Sequence, residues 1–246
     1  MSRKYINKPI IEAVCEFRLT SDSNWDLTIP GMIYEKIKDE FPHKEQRLVQ
    51  DAEIIKVPQG IQQRLTANER ILFFTDDRKI FIQVGRHLLA INCLKPYPSW
   101  DQFRPKIEKA FNALVNTILV NEFQRIGLRY INLIQIPGQA IDLDKNFEFR
   151  PFLGSRLPQN MANFLIRCVL PFFDGRDSCT IQLTNAVPEQ PESSAFILDL
   201  DYFNTPPQAV SVNQALNWVE NAHLQVEKSF EGCITEDLRM IFQEVK

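Results

Sequence analysis

Strict alternation marks the first element. Along residues 9–19, PIIEAVCEFRL, Ile11, Ala13, Cys15, Phe17 and Leu19 share one face, and Ile10, Glu12, Val14, Glu16 and Arg18 share the other. A period of two sends successive side chains to opposite faces of a strand. The segment therefore predicts a strand with one dry face and one mixed face. The period then changes. After Thr28 and Pro30, the residues Ile33, Ile37 and Phe41 fall on one stripe of a helix that Pro42 stops. Thr28 is placed to cap this helix, and Pro30 fits its first turn. Residues 53–93 read as a meander of short strands. In it, ILFFTDD and KIFIQV are split by an Asp/Arg turn, and HLLAINCL follows Gly85 and Arg86.

Helical spacing returns over 99–120, where Phe103, Ile107, Phe111, Leu114 and Ile118 form an apolar stripe. Ser99 and Gln102 have the spacing of a capping box. Pro105 lies too deep for a first turn and predicts a kink or a late start near Arg104. The second half repeats the order. RIGLRYINLIQIP reads as a long strand, and NFLIRCVLPFF, SCTIQLTNAV and SAFILDLDYF as three more. Ala215, Val219, Ala222, Val226 and Phe230 then mark a helix. Ile234, Leu238 and Ile241 extend its stripe, so one helix is expected over 211–242. The expected fold is α+β: a curved antiparallel sheet on long helices, with internal duplication of a β-α-β(3–4)-α unit. The halves are 1–122 and 123–246, packed as one globular unit. This order of elements resembles the helix-grip arrangement, and in duplicate it resembles the TATA-binding protein. A likeness of topology brings no function with it.

Composition narrows the classes. The chain has 246 residues, 44% hydrophobic and 24% charged, which is enough apolar material for a sizeable core. A net charge of -3 gives no basic footprint of the kind nucleic acid requires. The five cysteines, Cys15, Cys93, Cys168, Cys179 and Cys233, include no CxxC pair and read as buried reduced thiols. The opening MSRKYINKPI has no apolar signal-like core and no run reaches membrane-spanning length, so a cytoplasmic location is expected.

Several stretches carry a family likeness. KPIIEAVCEFRL, IGLRYINLI, LDLDYF, HLQVEKSFEGCITEDLR and LLAINCLKPYPSWDQFRPKI resemble segments of a sporadically distributed bacterial family of similar chain length and unassigned function. The resemblance runs nearly full length and brings no catalytic signature. It implies a full-length family fold and a patchy, mobile genomic distribution. Such distribution is typical of defence, antitoxin and immunity genes, whose products act on a neighbouring gene product.

Individual residues offer competing chemistries. Asp199 and Asp201 in LDLDYF stand on one strand face about 7 Å apart. The stretch is similar to the first metal motif of the translesion-polymerase palm, where that motif lies near the N-terminus with a Ser-x-Asp-Glu motif downstream. Here it lies late and no such motif follows, so a third carboxylate would have to come from Glu220 or Glu227. The alternation with Leu198, Leu200 and Tyr202 accounts for both aspartates as the solvent side of an amphipathic strand. Arg129 shares its strand face with Ile131 and Leu133 and wants a carboxylate, for which Glu12 and Glu16 are the expected partners. His43 follows the helix-stopping Pro42 and is expected to be exposed, His87 is expected in a hairpin, and His223 flanks the stripe of the last helix. No Gly-rich phosphate loop, HExxH or zinc-spaced cysteine pair occurs.

Three readings remain open at this level. The first is a non-enzymatic interaction protein, of antitoxin or immunity type, docking through WDQF around Trp100 and the terminal helix, with self-association possible. The second is a ligand-binding helix-grip protein with Trp100 or Arg129 as binding residues. The third is a metal-dependent nuclease or nucleotidyl enzyme using Asp199, Asp201 and His223. The first two need no metal or cofactor.

Overall fold

The computed structural model describes residues 3–57, 60–139, 141–159 and 161–245, with side chains throughout except over 50–67. In chain order the elements are β1 (Ile10–Leu19), α1 (Ile29–Ile37), β2 (His43–Val57), β3 (Gly60–Phe74), β4 (Ile80–Gly85), β5 (Leu88–Leu94) and α2 (Trp100–Val115). They continue with β6 (Phe123–Pro137), α3 (Leu143–Asn146), β7 (Leu165–Phe172), β8 (Asp177–Ala186), β9 (Ser193–Asn204), α4 (Ala215–Cys233) and α5 (Glu236–Phe242).

Among the described residues, nine strands form one sheet in the order β2-β3-β4-β5-β1-β6-β9-β8-β7. Every ladder is antiparallel. The first strand of each half meets the other at the centre, with Cys15 opposite Leu128 and Phe17 opposite Ile126. The dry face of β1 is the expected one: Ala13, Cys15, Phe17 and Leu19 are buried. They join one continuous core with Leu128 and Ile134 of β6, Leu198 and Leu200 of β9, and the apolar stripes of α1, α2 and α4. Helix α4 lies on β6 and β9, α2 lies on β5, and α1 packs against α2. The α+β class and the antiparallel sheet are therefore those the periodicity predicts.

Several local expectations are corrected. The 53–93 region does not begin as short strands. It begins ten residues earlier, with β2 and β3 pairing as a long hairpin from His43–Phe74 to Val57–Gly60. Charges interrupt the alternation of HKEQRLVQDAEIIKV, so no clean period signals this strand. Thr28 does not cap α1 through its side chain. Its hydroxyl and its N–H both bond Asp26 Oδ1, at 2.5 and 2.7 Å. Helix α2 begins at Trp100 rather than Arg104, because Ser99 accepts from the Gln102 N–H at 3.3 Å and fixes the start ahead of Pro105. It ends at Val115, short of residue 120.

The expected 211–242 helix is two helices. Ile234 is extended (φ -119°, ψ 152°) and forms an antiparallel bridge with Phe147. Thr235 then caps α5, accepting from the Leu238 N–H at 3.4 Å. The apolar stripe runs through the break because both helices pack on the same core, so period alone could not reveal it. Four cysteines are buried, and Cys168 on β7 is exposed, against expectation.

Candidate functional site

The two sides of the sheet carry different chemistry. On the face away from α4, Arg125 donates to Glu16 Oε1 at 2.7 Å and to both Asp201 oxygens at 2.7 and 2.8 Å. Arg129 forks onto Asp199 at 2.8 and 2.5 Å. A second chain continues across the sheet: Arg70 donates to Gln83, Gln83 to Asn92, and Asn92 to Glu12. Burial pushes the Asp201 carboxyl up, outweighing Arg125 and Arg129. Burial also pushes Glu16 up, but Arg125 and Arg18 together outweigh it and hold Glu16 below the usual carboxylate range.

The sequence expectations for these residues need correction. Arg129 bonds Asp199, not Glu12 or Glu16: it stands opposite Val14 on β1 and Asp201 on β9, and Arg125 takes both Glu16 and Asp201. Asp199 and Asp201 are not the wet side of a strand, since their side chains are only 13% and 28% exposed and each is held by a guanidinium. His223 lies beyond the opposite face of the sheet and does not join them. Glu220 and Glu227 are on His223's side too, lining the cavity described next. Among the described residues no group of three or more His, Cys, Asp or Glu is arranged to hold a metal ion.

The helix side holds a cavity of about 900 Å³ between the sheet, α4, the start of α2 and the segment around Tyr5 and Lys8. Tyr130 and Asn132 of β6 and Leu200 of β9 contribute to it from the sheet. Alternation sends Tyr130 and Asn132 inward with Leu128 and Ile134, so two polar side chains stand in an otherwise apolar row. Asn132 is almost fully buried and donates to the Leu198 carbonyl at 3.0 Å. Tyr97 comes from the loop before α2, and its hydroxyl lies 3.2 Å from that of Tyr130.

Helix α4 completes a polar chain. The Tyr130 hydroxyl lies 3.1 Å from His223 Nδ1, and His223 Nε2 lies 3.4 Å from Glu227 Oε1. Trp100, at the first position of α2, stacks on the His223 ring with centroids 4.1 Å apart and planes 13° apart. The Trp100 indole N–H donates to Glu220 at 3.1 Å, and Arg104 pairs with the same carboxylate. Burial pushes His223 down to about 4, against a weaker upward pull from Asp101. Burial also holds the Tyr130 phenol well above its ordinary value, with Tyr97 and Glu227 adding to the effect. At neutral pH His223 is therefore an uncharged imidazole and both tyrosines are intact phenols.

Of the residues singled out by sequence, the cavity gathers Trp100, His223, Glu220 and Glu227, and leaves Arg129, Asp199 and Asp201 on the other face. Sequence reasoning missed Tyr97, Tyr130 and Asn132. The signal for the last two was present: a buried-face Tyr and Asn two apart in IGLRYINLI need hydrogen-bond partners. Tyr97 had no such signal, since its loop obeys no period. No helix among the described residues is long and apolar enough to cross a membrane. Compared with protein-family models and with curated proteins, the chain matches none of either.

Proposed function

We propose that this chain is a small-ligand-binding protein whose site is the cavity between the sheet and α4. The observation that carries the reading is convergence. A cavity of about 900 Å³ has the size of a ligand site, and its walls combine aromatic rings with a few fixed polar groups. Trp100, Tyr97 and Phe230 supply flat apolar surface, and Tyr130, Asn132 and His223 supply directional groups. The strand order also runs outward from β1 and β6 as β5-β4-β3-β2 on one side and β9-β8-β7 on the other, which supports the reading of two related halves.

The test uses Trp100, which forms a wall of the site. Flat aromatic ligands should change tryptophan fluorescence saturably and raise the melting temperature, and Trp100→Ala should remove the fluorescence change. Saturable binding that leaves Trp100 unaffected would place the ligand elsewhere and sink the reading.

A second reading, a protein partner of the immunity or antitoxin kind, is favoured by the edge strand β7. Leu165, Val169 and Leu170 are exposed along it and Phe173 follows it. Among the described residues its outer backbone edge has no neighbour in the sheet, as in proteins that accept an added strand.

A further inference from the structure

The hydrogen-bonded chain at the cavity has a direction, and the direction defines what the cavity accepts. The Glu227 carboxylate lies 3.4 Å from His223 Nε2, and the tautomer that sets an N–H rather than a lone pair against that negative charge carries its proton on Nε2. A neutral imidazole then has its acceptor at Nδ1, and the Tyr130 hydroxyl, 3.1 Å away, must donate to it. That spends the one Tyr130 proton. The contact of 3.2 Å between the two phenols therefore runs from Tyr97 to Tyr130. Both protons now point along the chain toward Glu227. What the phenols have left is lone pairs, on Tyr97 and on Tyr130, and both residues line the cavity.

We infer that the cavity selects ligands whose buried end is a hydrogen-bond donor, a hydroxyl or an amine on a flat apolar body, received by the hydroxyl oxygens of Tyr97 and Tyr130. The inference rests on the ligand-binding reading of the same cavity and adds the chemistry of the ligand to it. The flat body follows from the stacked Trp100 and His223 rings and the Tyr97 ring that line the cavity. The direction is that of the tautomer with its proton on Nε2 beside Glu227, because a ring carrying a proton on Nδ1 would donate to Tyr130 and reverse both links. The charged groups around that ring are Glu227 and Glu220 on its own helix, Asp101 on α2, and Lys8 from the N-terminal segment. Glu220 is committed to Trp100 and Arg104, and Lys8 to the carbonyls of Tyr97 and Pro98.

Three probes of nearly equal shape test the inference: 6-hydroxy-2-naphthoate, 6-amino-2-naphthoate and 6-fluoro-2-naphthoate. The carboxylate keeps them soluble and suits the lysines Lys4, Lys8 and Lys228 that also line the cavity. Dissociation constants are measured on the full chain at neutral pH by calorimetry, with Trp100 fluorescence reporting occupancy. A site whose buried acceptors need a donor rejects an analogue lacking one. The hydroxyl and amino probes should therefore bind at least about tenfold tighter than the fluoro probe. Tyr97→Phe keeps the ring and removes one acceptor, so the preference should shrink severalfold. Tyr130→Phe cuts Tyr97 loose from His223, lets its hydroxyl turn to donate, and should shrink the preference as well. Equal affinity for all three probes, or a preference untouched in both variants, overturns the donor code and leaves the ligand-binding reading standing. Failure of all three to bind, with Trp100 fluorescence unchanged, overturns both.

Discussion

Arg125 holds two carboxylates at once, Glu16 on β1 and Asp201 on β9, and its guanidinium also lies over the Phe203 ring. It can do so because Gly127, two residues along the same face, has no side chain: a Cβ there would collide with the guanidinium. Arg125→Ala strips the largely buried Asp201 of its bonded cation and leaves Glu16 with Arg18 alone, and should lower stability by about 3 kcal/mol. Arg129→Ala should cost less, about 1–2 kcal/mol, because the Arg129 side chain is 47% exposed and solvent already screens the pair. Urea denaturation of both variants measures the difference, and a larger loss from Arg129 would contradict this account. The need for a partner was legible for Arg129, whose charge stands in a strand in LRY, whereas the alternation of LDLDYF pointed to a solvent face. The identity of that partner was not legible, because pairing depends on cross-strand register, which residue order alone does not contain. His223 adds a pH dependence. Its pKa is about 4 in the folded chain against an ordinary value of 6.5. Between those values the unfolded chain binds the extra proton, so the His223 contribution to stability is intact above pH 6.5 and falls as pH drops toward 4. From pH 7 to pH 5 the loss is about 2 kcal/mol. His223→Gln should lack that part of the slope, whatever its stability at pH 7. Parallel slopes for the two proteins would show that the ring is not held neutral.

At the scale of elements, the joint between α4 and α5 shows what hydrophobic period can and cannot reveal. The stripe from Ala215 to Ile241 is nearly unbroken because both helices cover one core, and a stripe reports burial rather than backbone continuity. The break is made by hydrogen bonds. The Ile234 backbone pairs with Phe147, and Thr235 both caps α5 and donates its hydroxyl to the Lys145 carbonyl at 2.6 Å. A Thr preceding Glu236 and Asp237 is a recognisable helix start, and it could have been weighed against the stripe. Thr235→Ala should destabilise the protein by about 1–2 kcal/mol, since it removes the cap and the tie to α3 together. Thr235→Ser keeps the hydroxyl and should recover most of the loss. If the two substitutions shift the urea midpoint equally, the hydroxyl is not what holds the joint.

At the scale of the molecule, the seam between the halves is a pair of central strands rather than a linker. β1 and β6 pair along most of their length, and Phe17 of β1 packs against both Phe111 of α2 and Phe123 of β6. The ends of the chain bind the halves further. Tyr5 bridges Glu244, its ring meets Phe242 edge-on, and its hydroxyl donates to Glu231 at 2.8 Å. The cavity itself is shared, with Tyr97 and Trp100 from one half and Tyr130 and His223 from the other. The antiparallel strands and the helices that cover them were legible in the sequence because their segments carry clear periods. That the halves pack as one globular unit was the expectation from sequence; which side chains meet across β1 and β6 was not legible, because cross-strand register decides it. A fragment of residues 1–122 should therefore not fold alone, as its β1 edge and the Phe17–Phe111 surface would face water. Mixed with a fragment of residues 123–246, it should assemble into a one-to-one complex. Circular dichroism and analytical ultracentrifugation decide the matter. A cooperative thermal transition from residues 1–122 alone, as a monomer, would mean that the halves are independent domains and that the cavity is a junction between them.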